Sequence, residues 1–348
     1  MKDFEQHIIS PQCTVREVLA RLDELASDAS LFLVDEQRKL LGSLTDGDVR
    51  RGLIRGLGLE DEIIKFVKRE PKFLRLGDYS IETLQDWRAK SYKIIPVVNE
   101  AQQIVEVINL RVQQSRLPID AVIMAGGKGT RLRPLTLNTP KPLIKVGDKP
   151  IVEYNIDRLQ KYGIRNITLS IAYLGQQLID YFGDGSERGL NIKYVTEEKP
   201  LGTIGAVRQI EAIHNDYVLV MNSDLLTNID FEDMLQQLLQ CGGEMIVATS
   251  PYEVKVPYGV IETEGQHIRA LREKPTYTYY SNAGIYIFKR EHIDLIPARA
   301  HFNATDLMEA LYSNGKKVIH YPILGYWLDI GKPQDYEKAQ QDIKHLKL

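Results

Sequence analysis

Residues 125–134 read AGGKGTRLRP and directly follow Ile119–Met124, an apolar stretch typical of a buried β-strand. Three glycines among four positions let the backbone turn tightly and aim its amides at an anion without interference from a Cβ atom. Arg131 adds a planar guanidinium fork that suits phosphate oxygens. A loop of this kind at the end of a strand predicts a phosphate-binding site.

The spacing within this loop excludes two other phosphate-binding motifs. No Gly-Lys-Ser/Thr follows Gly126 at the positions of a P-loop. Leu132 stands where a dinucleotide-binding loop needs its third glycine. The glycine-rich loop therefore belongs to neither of these classes.

A second motif follows shortly after the loop, where Lys141 lies between Pro140 and Pro142. Each proline fixes its own φ angle and restricts the residue before it, so the segment is stiff and holds the ammonium group in place. A lone lysine between prolines is more often part of a solvated turn. The lysine gains significance only together with the glycine-rich loop.

From Ile119 onward the chain alternates strand and helix patterns, which predicts an α/β fold with a mostly parallel sheet and helices on both faces. After Gly243 the pattern changes to strands separated by turns, which predicts an antiparallel extension of that sheet. The predicted strands are 119–124, 167–171, 192–195, 217–221, 245–249, 260–262, 268–272, 284–288 and 317–322. The predicted helices are 150–162, 174–182, 204–213, 306–313 and one that begins at Gln334.

The first third of the chain contains a weak internal repeat. The sequence LVDE at residues 33–36 returns as VVNE at residues 97–100, an offset of 64 residues. Each copy places a helical pattern, Val15–Leu25 or Ile81–Ala89, before two short apolar strands. One such unit buries little surface, so the two copies are expected to pack together as one small α/β domain.

The composition is that of a soluble globular protein, with 26% charged and 43% hydrophobic residues. The length of 348 residues predicts two domains, which we expect at residues 1–117 and 118–348. Two cysteines are too few for a disulfide framework, and no apolar run is long enough to span a membrane. We therefore expect a cytoplasmic protein with no membrane partner. The net charge of −3 argues against nucleic acid as a partner.

The glycine-rich loop and the Pro-Lys-Pro segment together resemble the signature of the sugar-1-phosphate nucleotidyltransferases, in particular the mannose-1-phosphate guanylyltransferases. Further motifs of that family recur in family order, namely PLGT at 200–203, NSD at 222–224, EKP at 273–275, NAG at 282–284 and WLDIG at 327–331. The resemblance covers residues 119 to about 336. It implies a Rossmann-like mixed sheet and an enzyme that joins a nucleoside triphosphate to a sugar 1-phosphate and releases pyrophosphate.

The resemblance also implies a role for each matched residue. Asp224 and Asp329 would hold Mg²⁺, which prefers carboxylate oxygens. Arg131 would bind the leaving β- and γ-phosphates, Lys141 would bridge the α-phosphate and the sugar phosphate, and Lys274 would hold the sugar phosphate for in-line attack. The implied nucleotide-binding residues are Ala125, Gly126, Gly127, Gly129, Thr130, Glu197, Pro200, Gly202, Thr203 and Asp224. The implied sugar-binding residues are Gly259, Glu273 and Asn282.

Glu197 bears on the choice of base. Thymidylyl- and uridylyl-type relatives typically have Gln there, whose amide both donates and accepts, whereas a carboxylate only accepts. Guanine offers two adjacent donors and cytosine one, so the residue favours GTP and leaves CTP open. The sugar stays open between mannose 1-phosphate and glucosamine 1-phosphate. A non-catalytic, nucleotide-sensing subunit is the rival interpretation, which the retained cationic and metal-binding residues disfavour.

Residues 1–117 resemble a tandem pair of cystathionine-β-synthase-type (CBS) modules, which commonly bind adenine nucleotides. Thr45 and Asp48 stand at a strand-to-helix turn of the first copy and match the CBS nucleotide clamp, whereas the second copy has Asn109 and Val112. The alternative is that Thr45 caps a helix over residues 46–57. The resemblance implies a regulatory domain that senses an adenine or guanine nucleotide or mediates assembly, and we expect a homo-oligomer.

Overall fold

The computed structural model describes residues 4–78 and 80–346. It divides the chain into unit 1, which comprises Met1–Leu117 and Lys161–Gly163, and unit 2, which comprises Pro118–Gln160 and Ile164–Leu348. Residues 1–3, 79 and 347–348 of the two predicted domains lie outside the described residues. Every helix in the described ranges is too short or too polar to serve as a membrane span.

Unit 1 contains two copies of one arrangement. In each copy a two-residue strand runs parallel to a longer strand, which pairs antiparallel with the next strand along the chain. The elements of the first copy are β1 (Ile8–Ile9), α1 (Val15–Leu25), β2 (Ser30–Val34), β3 (Leu40–Thr45) and α2 (Asp46–Ile54). Those of the second are β4 (Leu74–Arg75), α3 (Ile81–Ala89), β5 (Ile94–Val98) and β6 (Ile104–Asn109).

The sequence repeat has a structural counterpart at the same position of each copy. A β-bulge falls between Leu33 and Val34 in the first copy and between Val97 and Val98 in the second. The two copies share a hydrophobic cluster, because each hides little apolar surface alone. Its buried members are Phe32, Val34, Ile94, Val98, Ile104 and Val107.

Unit 2 is centred on a mixed sheet. The first strands of this unit are β7 (Ile119–Met124), β8 (Lys145–Val146), β9 (Lys149–Pro150), β10 (Asn166–Ile171), β11 (Asn191–Thr196), β12 (Tyr217–Asn222) and β13 (Leu225–Thr227). Its remaining strands are β14 (Met245–Lys255), β15 (Val260–Glu264), β16 (His267–Arg272), β17 (Thr276–Lys289), β18 (Val318–Pro322) and β19 (Trp327–Asp329). The strand order of the mixed sheet in the described part of the chain is β11-β10-β7-β12-β17-β14-β18. The strands from β11 to β12 run parallel, β17 pairs antiparallel with β12 and β14, and β18 runs parallel to β14. The predicted parallel core and its antiparallel extension are thus both present.

The helices of unit 2 are α4 (Ile151–Lys161), α5 (Gln176–Phe182), α6 (Phe231–Gln240), α7 (Ala304–Ser313) and α8 (Pro333–Asp342). The predicted helix over residues 204–213 is wrong, since only a 3₁₀ turn forms at Gly205–Gln209. The backbone N–H of Ile204 donates to the carbonyl oxygen of Phe302 at 3.2 Å, and a Cβ atom on Gly205 would lie 2.9 Å from the carbonyl oxygen of Ala300. Close packing against residues 300–302 therefore replaces the helix that the local pattern favours.

Candidate active site

The carboxyl ends of β7 and β12 meet at a cavity of about 260 Å³. Parallel sheets place their ligands at this edge, because the loops that leave neighbouring strands converge there. The cavity brings together three motifs that are distant in sequence. Its lining includes Gly127, Gly129, Thr130, Arg131, Lys141 and Asp224.

The glycine-rich loop is shaped by two close approaches. Gly129 has a φ angle of +59°, and a Cβ atom there would lie 2.8 Å from Thr136 and 3.0 Å from Lys141. The hydroxyl of Thr136 donates to the carbonyl oxygen of Gly129 at 2.8 Å. A Cβ atom on Gly126 would lie 2.9 Å from the carboxylate of Glu197. Glycine is thus required at position 129 and avoids a close contact at position 126, and the loop lies against Lys141 on one side and Glu197 on the other.

Buried apolar residues fix the charged residues of the site. Leu132, Leu226 and Ile330 are almost fully buried in one hydrophobic cluster, and each lies within two residues of a charged residue of the site. The backbone of β13 pairs antiparallel with β19, which brings the NSD and WLDIG motifs together. Moving these three apolar residues out of the core would cost free energy, so the charged residues next to them in the chain stay at the cavity.

Two carboxylates and one ammonium group form the charged centre of the site. The Nζ atom of Lys141 forms an ion pair with Oδ2 of Asp224. The backbone N–H of Ile330 donates to the carbonyl oxygen of Asp224 at 3.0 Å, which holds Asp329 beside it. Burial raises the pKa of Asp329, the Asp224 carboxylate raises it further, and Lys141 and Arg131 oppose the rise.

The donor set of this centre fits a hard divalent cation. Oδ1 of Asp224 and Oδ1 of Asp329 are buried and have no hydrogen-bond partner among the described residues. Such orphaned carboxylate oxygens are costly unless a cation or a donor reaches them. Arg131 lies at the same turn, since a Cβ atom on Gly331 would be 3.5 Å from its Nη2 and 3.6 Å from Oδ1 of Asp329. The structure therefore brings together both predicted metal ligands and two of the three predicted catalytic cations.

Glu197 is held in place by two donors. Its Oε1 accepts a hydrogen bond from the hydroxyl of Ser170 at 2.6 Å, and its Oε2 accepts one from the backbone N–H of Leu201 at 3.0 Å. Ser170 is fully buried in β10. Sequence reasoning missed Ser170, because a serine within an apolar strand carries no local sign of its partner. The pair fixes the carboxylate beside Gly126.

The PLGT segment is bound to the start of α7. Gly202 has a φ angle of +83°, and a Cβ atom there would lie 2.6 Å from the carbonyl oxygen of Phe302. The hydroxyl of Thr203 accepts a hydrogen bond from the backbone N–H of Ala304, the first residue of α7, at 2.8 Å. These contacts give Gly202 and Thr203 a structural role. Nucleotide binding by Pro200, Gly202 and Thr203 stays a prediction.

The predicted sugar-binding residues lie on and beside the long strands β14 and β17. A Cβ atom on Gly259 would lie 3.2 Å from the carboxylate of Glu273, so these two residues face each other. Oδ1 of Asn282 accepts hydrogen bonds from the backbone N–H of Gly284 and the hydroxyl of Tyr286, both at 2.9 Å. Lys274 is exposed, with a φ angle of +42°, and is absent from the described residues that line the cavity. The structure does not bring Lys274 to the charged centre.

The two predicted nucleotide-binding residues of unit 1, Thr45 and Asp48, form hydrogen bonds with each other. The backbone N–H and the hydroxyl of Thr45 donate to Oδ2 of Asp48 at 2.9 and 2.6 Å. This pairing stabilises the first turn of α2, as the capping alternative predicts. The helix ends at Ile54 rather than at residue 57.

A separate cluster of Glu244, Glu291 and His292 has the residue types of a metal site. Lys289 already supplies a positive charge to this cluster, because its Nζ lies 3.0 Å from Oε2 of Glu244. The same oxygen lies 2.8 Å from Nε2 of the buried His292. We interpret the cluster as an ion-pair network that joins the start of β14 to the end of β17.

Glu244→Gln is expected to lower the melting temperature at pH 7 by about 2 °C, the scale of a partly exposed ion pair. Hydrogen bonds from His292 and then from Lys289 lower the pKa of Glu244 from its ordinary value of 4.5. The stabilisation is therefore present above pH 4.5 and lost as the pH falls through the lowered pKa. Thermal unfolding between pH 7 and pH 3 measures this, with Glu253→Gln, at an exposed position of β14 outside the cluster, as control. A difference that does not shrink as the pH falls below 4.5 would contradict the ionic origin.

The fold and the site together define a class of protein. An α/β sheet with a glycine-rich loop, clustered cations and paired carboxylates at its carboxyl edge is typical of proteins that bind nucleotides and transfer phosphate groups. Residues 120–345 match the nucleotidyl transferase family, and the chain belongs to that family. Members of this family generally use a divalent metal.

Two relatives illustrate the similarity. The mannose-1-phosphate guanylyltransferase of Mycobacterium tuberculosis is 34% identical over 231 residues, which are 65% of this chain and 64% of that protein. The mannose-1-phosphate guanyltransferase beta-A of Xenopus laevis is 33% identical over 224 residues, 62% of each protein. This chain spans less than two thirds of the length of either relative.

A solved structure shows the same fold. It is a Bacillus anthracis protein assigned as a glucose-1-phosphate thymidylyltransferase and crystallised with sucrose. It superposes with a TM-score of 0.54 at 24% identity and covers 66% of this chain and 97% of that chain. The predicted mixed α/β nucleotidyltransferase fold is thereby confirmed.

Proposed function

We propose that this protein is a Mg²⁺-dependent sugar-1-phosphate guanylyltransferase that transfers GMP from GTP to mannose 1-phosphate. The observation that carries the proposal is the cavity at the carboxyl edge of the sheet, where Arg131 and Lys141 lie beside two half-buried carboxylates, those of Asp224 and Asp329. The names of the two relatives support the choice of base and sugar. A cytoplasmic location and homo-oligomeric assembly stay predictions from the sequence.

In the proposed reaction an oxygen of the sugar phosphate attacks the α-phosphorus of GTP. The bond from that phosphorus to the bridging oxygen breaks, and pyrophosphate leaves, so no covalent enzyme intermediate is needed. Mg²⁺ held by Asp224 and Asp329 would neutralise charge on the triphosphate. The loop amides and Arg131 bind the β- and γ-phosphates, and Lys141 stabilises charge on the α-phosphate.

Lys274 belongs to a second part of the proposal. Because it lies outside the cavity, it reaches the sugar phosphate only if β15, β16 and the adjoining parts of β14 and β17 bend toward the site when substrate binds. The exposed strands of this region can move at low cost, since few of their side chains are buried. Gly259, Glu273 and Asn282 would then contact the sugar hydroxyls.

Pyrophosphate release by the full chain with Mg²⁺ tests the proposal. We would cross GTP, CTP, UTP, dTTP and ATP with mannose 1-phosphate, glucosamine 1-phosphate and glucose 1-phosphate. Release with GTP and mannose 1-phosphate is the expected result. Release with CTP or with another sugar would keep the chemistry and change the substrate. No release with any pair would favour a non-catalytic, nucleotide-sensing subunit.

Glu197→Gln is expected to lower the ratio of kcat/KM for GTP over UTP by about tenfold. Both oxygens of Glu197 are held by Ser170 and Leu201, so its remaining lone pairs can accept from the N1–H and the amine of guanine. A glutamine at this position presents one donor and one acceptor instead. Glu198→Gln, an exposed neighbour, is the matched control. An unchanged ratio would remove Glu197 from base recognition.

Unit 1 carries a separate proposal, that it is a CBS pair which senses an adenine or guanine nucleotide and regulates the transferase. Its repeated strand pairs and matching bulges support this, and Asp48 lines a cavity beside α2. Activity of the full chain, measured with added AMP, ADP or GDP, tests it. Asp48→Asn should abolish the response to the nucleotide and leave the basal rate unchanged. A nucleotide response that survives in this variant would place the sensor elsewhere.

A further inference from the structure

A second cavity, of about 420 Å³, lies within unit 1. One wall is the exposed side of α2 with Asp48, Arg51 and Ile54, and Arg55 follows at the end of the helix. The other wall is the segment 66–68, which ends in Lys68. The volume is that of an ordinary small-molecule site. Thr45, half of the predicted nucleotide clamp, is not among the described lining residues.

The segment 66–68 is firmly built into unit 1. A Cβ atom on Gly42 of β3 would lie 2.2 Å from the side chain of Val67, and one on Gly52 of α2 would lie 2.1 Å from the ring of Phe66. The backbones of Ser43 and Lys68 exchange two hydrogen bonds, at 3.0 and 2.9 Å. Glycine at both positions lets the segment pack tightly between β3 and α2, so the cavity wall is formed before any ligand binds.

The charges of this cavity are unbalanced. Three cationic side chains, those of Arg51, Arg55 and Lys68, line it with a single carboxylate. That carboxylate, Asp48, accepts from Nη2 of Arg51 at 2.6 Å and from Thr45 with its other oxygen. Arg55 and Lys68 have no ion-pair partner within residues 4–78 and 80–346. Two positive charges from separate segments of the chain thus line one cavity. An anion bound there would offset their mutual repulsion.

The remaining surface of the cavity is apolar. Ile54 is 79% exposed on the helix face between the two arginines, and the side chains of Phe66 and Val67 form the opposite wall. Covering this apolar surface favours a ligand that has an uncharged body beside its anionic end. A bare monophosphate would leave the apolar wall uncovered.

We propose that this cavity binds a ligand with two linked phosphate groups, held by Arg51, Arg55 and Lys68. Such a group comes either from a nucleoside diphosphate, whose base would lie against Ile54 and Phe66, or from free pyrophosphate. The inference rests on the proposed nucleotide sensing by unit 1 only for the choice of nucleosides as ligands. The phosphate-binding residues differ from the predicted clamp at Thr45 and Asp48.

Isothermal titration of the full chain in EDTA tests the site with ADP, GDP, AMP and pyrophosphate. EDTA suppresses metal-dependent binding at the transferase site. We expect ADP or GDP to bind at least about tenfold more tightly than AMP, since the second phosphate gains charged hydrogen bonds. The double variant Arg55→Gln/Lys68→Gln should weaken that binding by at least about tenfold. Arg50→Gln removes one charge from the same helix outside the cavity and should change it less than twofold.

Each outcome bears on the proposal. Pyrophosphate that binds as tightly as ADP supports the site and makes free pyrophosphate its ligand, whereas weaker pyrophosphate binding supports a nucleoside diphosphate. Equal affinity for AMP and ADP, or unchanged binding in the double variant, overturns it. An inactive chain that still binds ADP through Arg55 and Lys68 would refute the proposed transferase activity alone. An active chain with unchanged binding in the variant would refute this inference alone.

Discussion

Lys141→Ala is expected to lower kcat by about a hundredfold or more, which corresponds to about 3 kcal/mol of transition-state stabilisation. The lysine is only 9% exposed and lines the cavity, so water screens its charge weakly. Pro140 and Pro142 hold its backbone, and its charge is already in place when the phosphorus is attacked. Steady-state pyrophosphate release with saturating GTP and mannose 1-phosphate measures the effect.

Lys145→Ala is the matched control for this variant. Lys145 is exposed in β8, four residues along the chain, and its loss removes the same charge from the same region. We expect less than a twofold change in kcat for the control. If Lys141→Ala also kept near-normal turnover, the lysine would have no part in the chemistry.

A second measurement separates a catalytic role of Lys141 from collapse of the metal site. Lys141 pairs with Oδ2 of Asp224, so it competes with a cation for that oxygen. Lys141→Ala should therefore bind Mn²⁺ at least as tightly as the wild type in the absence of nucleotide, as followed by electron paramagnetic resonance. Weaker Mn²⁺ binding would mean that the lysine supports the structure of the site instead.

Local sequence patterns were sufficient to predict the central strands and helices of the fold. The strand Ile119–Met124 and the helices Val15–Leu25 and Ile81–Ala89 have the predicted bounds, because their apolar periodicity matches the element that buries it. The predicted helix over 204–213 failed for the opposite reason. Its conformation is decided by packing against residues 300–302, about a hundred residues away, which no local pattern contains.

The candidate site could be predicted in part. The glycines of the loop and the residues Lys141 and Asp224 carry recognisable motifs, and their position at the ends of parallel strands implies that they converge. The ion pair between Lys141 and Asp224 joins residues 83 positions apart, and the support of Glu197 by Ser170 joins two strands. These contacts depend on strand order and register, which could not be predicted from the sequence.

The cationic cavity of unit 1 is another feature that the sequence alone could not predict. Arg51 and Arg55 are visible on one helix face from their spacing, but Lys68 reaches them only because Gly42 and Gly52 allow the chain to pack across the helix. The sequence alone drew attention to Thr45 and Asp48 through a family resemblance. The structure shows those two residues bound to each other and adds a charged cavity that Asp48 lines together with the cationic residues.

Asp224→Asn is expected to lower kcat on the order of a thousandfold, because a neutral amide replaces a carboxylate ligand of the divalent cation. The substitution preserves shape, and Asp224 follows the end of β12, with its Oδ1 buried and without a hydrogen-bond partner in the described ranges. Mn²⁺ binding without nucleotide should fall together with turnover. The two aspartate sites share one cation in the proposal, so Asp329→Asn should lower Mn²⁺ binding as well.

Asp216→Asn provides the control, since Asp216 precedes the opposite end of β12 and is largely exposed. It should leave both kcat and Mn²⁺ affinity within about twofold, the scale of a surface charge. Comparison with Lys141→Ala then separates two roles within one ion pair. Loss of the lysine should lower turnover and spare metal binding, whereas loss of the aspartate should lower both. Normal Mn²⁺ affinity in Asp224→Asn would mean that the orphaned oxygens of the site serve something other than a cation.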